Sequence, residues 1–476
     1  MVAAPPLRRS PEPVRSSSRN LSALGFRSQP KELPRTRLRI EGDVPTWLRG
    51  TLLRTGPGTF EAPSRDIEHW FMGLAMLVRL RIGDEPGVAE VSAKHLKSHA
   101  RERAMRPNPF PRLRALAERI RPFLGERPTT DDGSVNVARI GDAMVAMTET
   151  TRRARFDPTT LEALGTLEHR DVLEGHLTTA HPHWDAKRGC HFNYMSRFGP
   201  KVVHVAYRMD AGRRHLLREL ETDRPAYMHS FGATPNHLIF VEGPPFVQPL
   251  KLRFLTADFF SCLTWDGAAG TRIRAVHKDS GAVQTWHLDE PLFTFHTIDG
   301  RETGDSLELD LITYPDSSVL QELVLERLRS EGPPKAIGAV RRIRLPSHGP
   351  ATIDGLDVPG LELPRIDPRR AGDSRMVYGV TNDLPGTFVD GLVKVDRAKG
   401  THTPWRGDGL FPGEPIFVPD PRAASEDEGV VISLVLDGHR ERSLFVVLDA
   451  KSFTERARIE LPLFVPQGFH GEFFAD

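Results

Sequence analysis

The chain is poor in features that define several common classes of protein. It has 476 residues but only two cysteines, Cys190 and Cys262, which excludes a disulfide scaffold and a cysteine-based zinc site. It has no apolar run of about 18 residues, so we expect no membrane span. It also lacks the charged and then apolar leader of a secretory signal. We therefore expect a reducing, cytoplasmic location, and peripheral contact with a membrane surface stays open.

The chain also lacks an excess of charge of either sign. Lys and Arg total 64 and Asp and Glu total 63, so the strong basic surplus of a nucleic-acid-binding protein is missing and no nucleic-acid partner is expected. Polar aromatic residues are few, with five tyrosines and six tryptophans against 25 phenylalanines. A set dominated by phenylalanine suits an apolar tunnel, although most of these residues are expected in the core.

Glycine and proline are abundant, with 40 of each, and they separate many short apolar runs. Dipeptides typical of turns, such as Asp299-Gly300 and Asp437-Gly438, lie between these runs. Many short strands at such spacing predict an all-β barrel, sandwich or propeller, and the absence of a WD or kelch repeat leaves these three open. The clearest predicted strands are Met144–Met147, Leu238–Glu242, Leu307–Ile312, Val430–Leu436 and Ser443–Leu448.

Three segments depart from the strand pattern. Residues 1–35 are rich in Pro, Ser and Arg, which predicts a disordered tail, with an organelle-targeting segment as the alternative. We expect residues 36–476 to form a single domain with insertions. Apolar residues at helical spacing predict one helix over Asp316–Ser330. Residues 109–124 predict a basic amphipathic helix, which would either lie on a membrane surface or pack on the core.

The 19 histidines are the most informative feature of the composition. His181, His229 and His296 each follow a β-prone run and precede a predicted turn and a returning strand. Side chains near the ends of separate hairpins converge only if the hairpins are arranged radially, which favours a propeller. His470 lies between Gly468 and Gly471, close to the C-terminus. The separations of 48, 67 and 174 residues match no compact metal motif, so the residues alone do not establish a site.

The sequence resembles the carotenoid cleavage oxygenase family over nearly all of residues 38–476. The resemblance is carried by the opening segment GDVPTWLRGTLLRTGPGTFE and by the motifs AHP, YMHSF, FHxxN and GFHG, at His181, His229, His296 and His470. It implies a seven-bladed β-propeller with a helical and loop cap over an axial metal site. It also implies that these four histidines bind one Fe(2+) per chain.

The same resemblance assigns residues around the metal. Glu149, Glu362 and Glu414 would accept a hydrogen bond from His229, His296 and His470 respectively, whereas His181 would have no carboxylate partner. Val135 would lie beside an open coordination position. Neutral imidazole suits divalent iron, and a carboxylate on the other ring nitrogen fixes the tautomer and the ring orientation.

Three positions depart from the family pattern. Met72 stands at the acidic position of the H-x-F-D-G segment, and Asp299 stands at the asparagine of FHxxN. Phe110 stands where the retinoid isomerase branch has a lipid-modified cysteine, so no such modification is expected there.

The activity implied by the resemblance is Fe(II)-dependent cleavage of a carbon–carbon double bond of a carotenoid or apocarotenoid, with O2 as co-substrate and aldehydes or ketones as products. A stilbene-cleaving dioxygenase is an alternative, which the low tyrosine count disfavours because a phenolic substrate needs polar partners. A non-catalytic lipid-binding propeller and a retinoid isomerase are the others. The presence of four histidines and three glutamates disfavours the non-catalytic alternative.

Overall fold

A computed structural model describes residues 20–83, 85–107, 130–210, 212–254, 259–330, 337–382 and 388–476. Its strands form seven antiparallel sheets that are arranged as the blades of a β-propeller, which confirms the predicted fold. The predicted amphipathic helix at 109–124 lies outside the described residues.

Each blade contains four to six strands. The first blade contains Leu33–Arg39, Gly50–Thr59, Leu74–Ile82, Val88–His95 and Gly471–Ala475. The second contains Asn136–Ile140, Ala143–Met147, Ala154–Phe156 and Ala163–Thr166. The third contains Leu177–Thr178, His183–Asp185, Cys190–Arg197, Val202–Asp210 and Arg213–Thr222.

The remaining blades follow in chain order. The fourth contains Gly232–Ala233, His237–Glu242, Thr271–His277 and Val283–Leu288. The fifth contains Thr297–Thr303, Ser306–Thr313, Ala339–Leu345 and Thr352–Gly355. The sixth contains Glu362–Arg365, Met376–Thr381, Gly391–Asp396 and Thr401–Arg406. The seventh contains Glu41–Gly42, Leu410–Pro412, Ile416–Pro419, Gly429–Asp437, Arg442–Asp449 and Glu455–Glu460.

The middle strands of the blades are buried on both faces. Every residue of Gly391–Asp396 is buried, whereas the outer strand Thr401–Arg406 of the same blade is largely exposed. A strand covered on both sides by neighbouring blades selects apolar residues at consecutive positions rather than at alternate ones. This explains the continuous apolar runs in the sequence, and all five strands predicted from them are present.

The two ends of the described chain cross over to close the ring of blades. The C-terminal strand Gly471–Ala475 pairs with Gly50–Arg54 in the first blade. The N-terminal strand Glu41–Gly42 pairs with Ala457 and Arg458 in the seventh. Each end of the chain therefore adds a strand to the blade formed mainly by the other end, and this links the first and seventh blades.

The helices are short and lie between the strands. The α-helices are His99–Met105, Pro249–Phe254, Val319–Glu322 and Leu325–Arg329. The 3-10 helices are Leu21–Phe26, Trp70–Met72, Phe259–Cys262, Gly267–Ala269 and Pro368–Arg370. A small two-stranded sheet pairs Phe246–Val247 with Leu263–Thr264. Among the described residues, no helix combines the length and the apolar character that crossing a membrane requires.

The predicted disordered tail ends earlier than residue 35. Leu21–Phe26 forms a 3-10 helix, and Leu33 begins the first blade. The Phe26 side chain is fully buried and packs edge-to-face on Trp70 and Phe388, with ring centroids 5.6 and 5.1 Å away. The composition of this segment predicted disorder because few of its residues are apolar. Those few apolar residues, however, hold the segment against the core. Residues 1–19 lie outside the described chain.

The single helix predicted over Asp316–Ser330 is wrong in its middle. Val324 is extended, with φ −71° and ψ 144°, and it divides the segment into two short helices. The cause is a tertiary contact. The backbone N–H of Trp70 donates to the Leu323 carbonyl at 3.2 Å, and the backbone N–H of Leu325 donates to the Glu68 carbonyl at 2.7 Å. These bonds replace bonds that a continuous helix would have made.

The turn predicted at Asp299-Gly300 is also wrong, because the strand Thr297–Thr303 runs through both residues. The Asp299 carboxylate accepts hydrogen bonds from the N–H groups of Gly372 and Ser374, at 2.8 and 3.0 Å. Asp299 therefore joins the fifth blade to the connection that leads into the sixth blade's second strand.

Candidate metal centre

Four histidines occupy equivalent positions. Three lie in the third, fourth and fifth blades, and the fourth precedes the C-terminal strand that closes the ring. Each lies just upstream of a strand at one edge of its sheet, and the convergence of the four rings identifies that edge as the one nearest the propeller axis. The pairs are His181 with His183–Asp185, His229 with Gly232–Ala233, His296 with Thr297–Thr303 and His470 with Gly471–Ala475. The expectation that a turn follows each histidine is thus wrong for His296, where a strand follows at once.

The four imidazoles meet at one place. One nitrogen from each of His181, His229, His296 and His470 lies within 4.8 Å of those of the other three. The Nε2 atoms of His181 and His229 are 3.1 Å apart, and those of His296 and His470 are 3.2 Å apart. Residues as far apart in the chain as His181 and His470 are therefore brought within reach of a single ion.

Three glutamates hold the opposite nitrogens of three of these rings. Nδ1 of His229 is 2.6 Å from Glu149 Oε1, and Nδ1 of His296 is 2.5 Å from Glu362 Oε2. Nδ1 of His470 is 2.8 Å from Glu414 Oε1. Within the described ranges, no carboxylate is hydrogen-bonded to His181, so the arrangement has three carboxylate-held rings and one without.

Each glutamate has a further partner that the sequence analysis missed. The Tyr227 hydroxyl donates to Glu149 at 3.0 Å, and the Tyr314 hydroxyl donates to Glu362 at 2.7 Å. Arg365 forms an ion pair with Glu414, with 2.9 Å between Nε and Oε1.

Tyr227 is two residues before His229, and side chains two apart in an extended chain share a face. Arg365 is three residues after Glu362. Tyr314 is 48 residues from Glu362, so only the fold brings these two residues together.

Burial and neighbouring charge set the protonation states. Burial lowers the pKa of His470 to about 4 against the opposing effect of Glu414, and burial lowers the pKa of His181 well below its usual value. Burial is the largest single effect on Glu414 and acts to raise its pKa, but the charges of Arg365 and His470 and the hydrogen bonds from both together hold that pKa at about 2. At neutral pH His470 is therefore a neutral imidazole beside an ionised carboxylate.

These protonation states determine which ring nitrogens carry a lone pair. An ionised carboxylate only accepts, so Nδ1 of His296 and of His470 must each carry the hydrogen, and in a neutral ring Nε2 then carries a lone pair. The Nε2 atoms of the two rings face each other across 3.2 Å. A cation shared by both rings satisfies them, and the donor set of four imidazoles with outer carboxylates suits a divalent transition metal.

Val135 lies at the start of the second blade and is buried. Its carbonyl accepts the His470 N–H at 3.1 Å, and its own N–H donates to Met147 at 2.9 Å. The structure thus places Val135 next to the backbone of one of the four histidines.

Aromatic rings adjoin the histidines on one side. The Phe71 ring is stacked 6.4 Å from the His229 ring and lies 5.7 Å from both Phe260 and Phe295. Phe469, next to His470 in the chain, is 5.1 Å from Phe71. Phe71 belongs to the 3-10 turn in which Met72 replaces the family's acidic residue, and Met72 packs against the apolar core.

Comparisons with known proteins show what the whole chain is similar to. A family model described as retinal pigment epithelial membrane protein matches residues 26–475. The mitochondrial carotenoid-cleaving dioxygenase of Mustela putorius furo is 29% identical over 511 residues, which cover 91% of this chain and 93% of that protein. The carotenoid isomerooxygenase of Galleria mellonella is 29% identical over 493 residues, covering 91% and 92%. A cobalt-substituted apocarotenoid oxygenase of Synechocystis has a TM-score of 0.80 at 23% identity and covers 96% of this chain and 99% of that one.

The fold and the site define a β-propeller with an all-histidine candidate metal centre on its axis. The chain belongs to the carotenoid cleavage oxygenase family, as the sequence motifs predicted, and it is a dioxygenase.

Proposed function

We propose that the protein is an Fe(II)-dependent oxygenase that cleaves a carbon–carbon double bond of a carotenoid or apocarotenoid with O2. The observation that supports this proposal most directly is the convergence of four imidazole nitrogens within 4.8 Å, three of them on rings held by carboxylates. His181, His229, His296 and His470 would be the ligands of one ferrous ion. That ion would supply the redox chemistry by which O2 reacts with an alkene.

The chain's own residues would orient and insulate the centre. Glu149, Glu362 and Glu414 would fix the tautomer of three ligand rings, so that Nε2 of each ring faces the ion. Three carboxylates and the Arg365 guanidinium together carry two negative charges, which offset the charge of a divalent ion in a buried site. Val135 would occupy space beside an open coordination position.

The aromatic surface next to His229 and His296 favours an apolar polyene as substrate. Phe71, Phe260 and Phe295 offer ring faces and edges without hydrogen-bonding groups. The nearby Tyr227 hydroxyl is committed to Glu149 rather than open to a phenolic substrate. A phenolic stilbene would therefore find fewer polar partners here than it needs, whereas an apolar polyene requires none.

The proposed reaction balances without an external reductant. One C=C bond and the O–O bond break, two C=O bonds form, and each carbonyl product receives one oxygen atom from O2. The position of the polyene along the aromatic surface would determine which double bond reaches the centre.

The test is incubation of the iron-loaded protein with carotenoids, apocarotenals and stilbenols under ¹⁸O2, followed by mass spectrometry of the products. We expect two aldehydes, or an aldehyde and a ketone, from a carotenoid or apocarotenoid, each with one ¹⁸O atom when solvent exchange is suppressed. Carbonyl products from stilbenols alone would contradict the proposed substrate.

A second candidate activity is isomerisation coupled to cleavage, because a carotenoid isomerooxygenase aligns with 91% of the chain. Chromatography that separates cis from trans products of the same incubation decides between the two. Geometrically altered products would favour the isomerooxygenase activity, and the absence of any carbonyl product would favour an isomerase or a lipid-binding propeller.

A further inference from the structure

The carboxylates orient the histidine rings, but they do not fix the spacing of the backbones that carry the rings. The ligand histidines belong to separate sheets, and a shift between blades would change every nitrogen–nitrogen distance. Side-chain hydroxyls that bridge the ligand-bearing segments directly are therefore of interest. Two such hydroxyls lie at the centre, on Thr179 and Ser230.

Thr179 joins the backbones of His181 and His229. Its hydroxyl accepts the His181 N–H at 3.1 Å and donates to the His229 carbonyl in the next blade. The side chain is almost fully buried, with 1% exposure, so water cannot take over these bonds. One oxygen atom therefore connects two of the four candidate ligands.

Ser230 repeats the arrangement one blade further round. It directly follows His229, and its hydroxyl donates to the Phe295 carbonyl at 2.7 Å and accepts the Thr297 N–H at 3.2 Å. These two groups flank His296 on both sides. Ser230 thus clamps the backbone of the third ligand to that of the second.

The same pattern continues towards the ring closure, with an amide in place of a hydroxyl. The His470 N–H donates to the Val135 carbonyl at 3.1 Å. Asn136, the next residue, donates from its side chain to the Ala180 carbonyl at 2.8 Å. His470 is thereby connected to the segment that carries His181, so each ligand segment is bonded to a neighbouring one.

We propose that Thr179 and Ser230 are positioning residues that set the distances between the ligand histidines of neighbouring blades. This inference rests on the proposed metal centre. Metal sites require their ligands to be held within about 0.5 Å of the productive geometry. Removing either hydroxyl leaves a buried carbonyl and a buried N–H without a partner and releases the spacing between two ligands.

The test is Co2+ titration of the metal-free protein, with affinity and the visible d–d spectrum as readouts. We compare wild type, Thr179→Val, Ser230→Ala and the conservative variant Thr179→Ser. Thr179→Val and Ser230→Ala should each weaken Co2+ binding by about tenfold or more and alter the d–d bands. Thr179→Ser should keep the wild-type Co2+ affinity and d–d spectrum, since it keeps the hydroxyl.

The matched control is Thr271→Val. Thr271 is also fully buried, and its hydroxyl likewise bridges two backbone groups, the Glu290 carbonyl and the Leu292 N–H, both at 2.9 Å. It starts the third strand of the fourth blade, away from the axis. This variant should lose stability but keep the wild-type affinity and spectrum.

The outcomes separate the two proposals. If wild type binds no Co2+, the metal centre and the proposed function are both wrong. If wild type binds Co2+ and Ser230→Ala and Thr179→Val match it in affinity and spectrum, the positioning role is wrong while the metal centre stands. If Thr179→Val does not fold, Ser230→Ala decides, because it removes a single oxygen atom.

Discussion

Tyr227 and Tyr314 are each the outer end of a hydrogen-bonded chain that starts at a histidine. Burial and the adjoining carboxylate raise the pKa of both phenols well above the usual value, so they remain neutral donors. The chain from His470 ends instead in the charged Arg365. The three carboxylates are therefore not equivalent, although the sequence presents them alike.

We expect His229→Ala to abolish iron retention and turnover. The substitution removes one proposed ligand and leaves the half-buried Glu149 without its imidazole partner, although Tyr227 still donates to it. Iron per chain, measured by atomic emission after gel filtration, should fall from about one to near zero.

The control is His204→Gln, which changes a fully buried histidine outside the cluster and should keep the iron. An active His229→Ala protein with a full complement of iron would disprove the ligand role.

Glu362→Gln should weaken iron binding more than Tyr314→Phe does. The amide cannot accept a hydrogen bond as strongly as a carboxylate, so Glu362→Gln should weaken iron binding by about 10- to 100-fold. Tyr314→Phe keeps the carboxylate and removes one of its donors, so a smaller loss is expected. Competition with a chelator of known affinity measures both. A larger effect of Tyr314→Phe than of Glu362→Gln would contradict this order.

The residues with a named motif could be located from the sequence, and the residues that support them could not. His181, His229, His296 and His470 were identified by resemblance, whereas their spacing alone left each as an ordinary structural histidine. Ser230 stood inside the YMHSF motif and Thr179 directly precedes AHP, but a hydroxyl near a histidine has no distinctive pattern. Their role depends on which blade lies next to which, and that is a property of the whole ring.

At the scale of strands and helices, the interaction between segments decides what local pattern cannot. Continuous apolar runs identified the buried strands correctly, since burial on both faces leaves a strong signal. The turn at Asp299-Gly300 and the unbroken helix over Asp316–Ser330 were reasonable local predictions that contacts with other segments override. In both cases a hydrogen bond from a distant residue outweighs the local preference of the chain.

Asp299→Ala should destabilise the junction between the fifth and sixth blades. The carboxylate accepts three hydrogen bonds, from Gly372 N, Ser374 N and the Ser374 hydroxyl, and Arg397 lies 3.6 Å away. Leaving these buried donors unsatisfied should lower the free energy of unfolding by about 2–4 kcal/mol.

Asp299→Asn, which restores the family's residue, should lose less, because one amide oxygen still accepts. Urea denaturation measures both variants, and an equal loss for Asn and Ala would contradict the role assigned to the second carboxylate oxygen.

Several histidines outside the four-histidine cluster are buried or half-buried. Apart from the cluster and its immediate neighbours, burial lowers the pKa of five of them to about 4, namely His69, His95, His169, His191 and His204. In the unfolded chain the same groups titrate near 6.5. Between pH 4 and 6.5 the unfolded state therefore binds more protons than the folded state.

We expect the stability of the metal-free protein to fall steeply as the pH drops through this window. Each such histidine contributes a slope of up to about 1.4 kcal/mol per pH unit, with stability rising with pH. Burial raises the pKa of Asp132 to about 6 and also raises the pKa of Glu472, and these two groups work in the opposite direction because their folded forms hold the extra proton. Five groups against two leave a positive slope that is large beside a total stability of about 5–15 kcal/mol.

Urea midpoints of the metal-free protein at intervals from pH 4.5 to 8 measure this slope. His204→Gln provides the internal standard, because glutamine cannot titrate and the variant should lose about one proton's share of the slope between pH 4 and 6.5. Stability that stays flat across the window would mean that the buried histidines are already protonated in the folded protein. Since His69 accepts the Phe71 N–H on Nδ1 at 3.1 Å, protonation there would have to break the turn that places Phe71 beside His229.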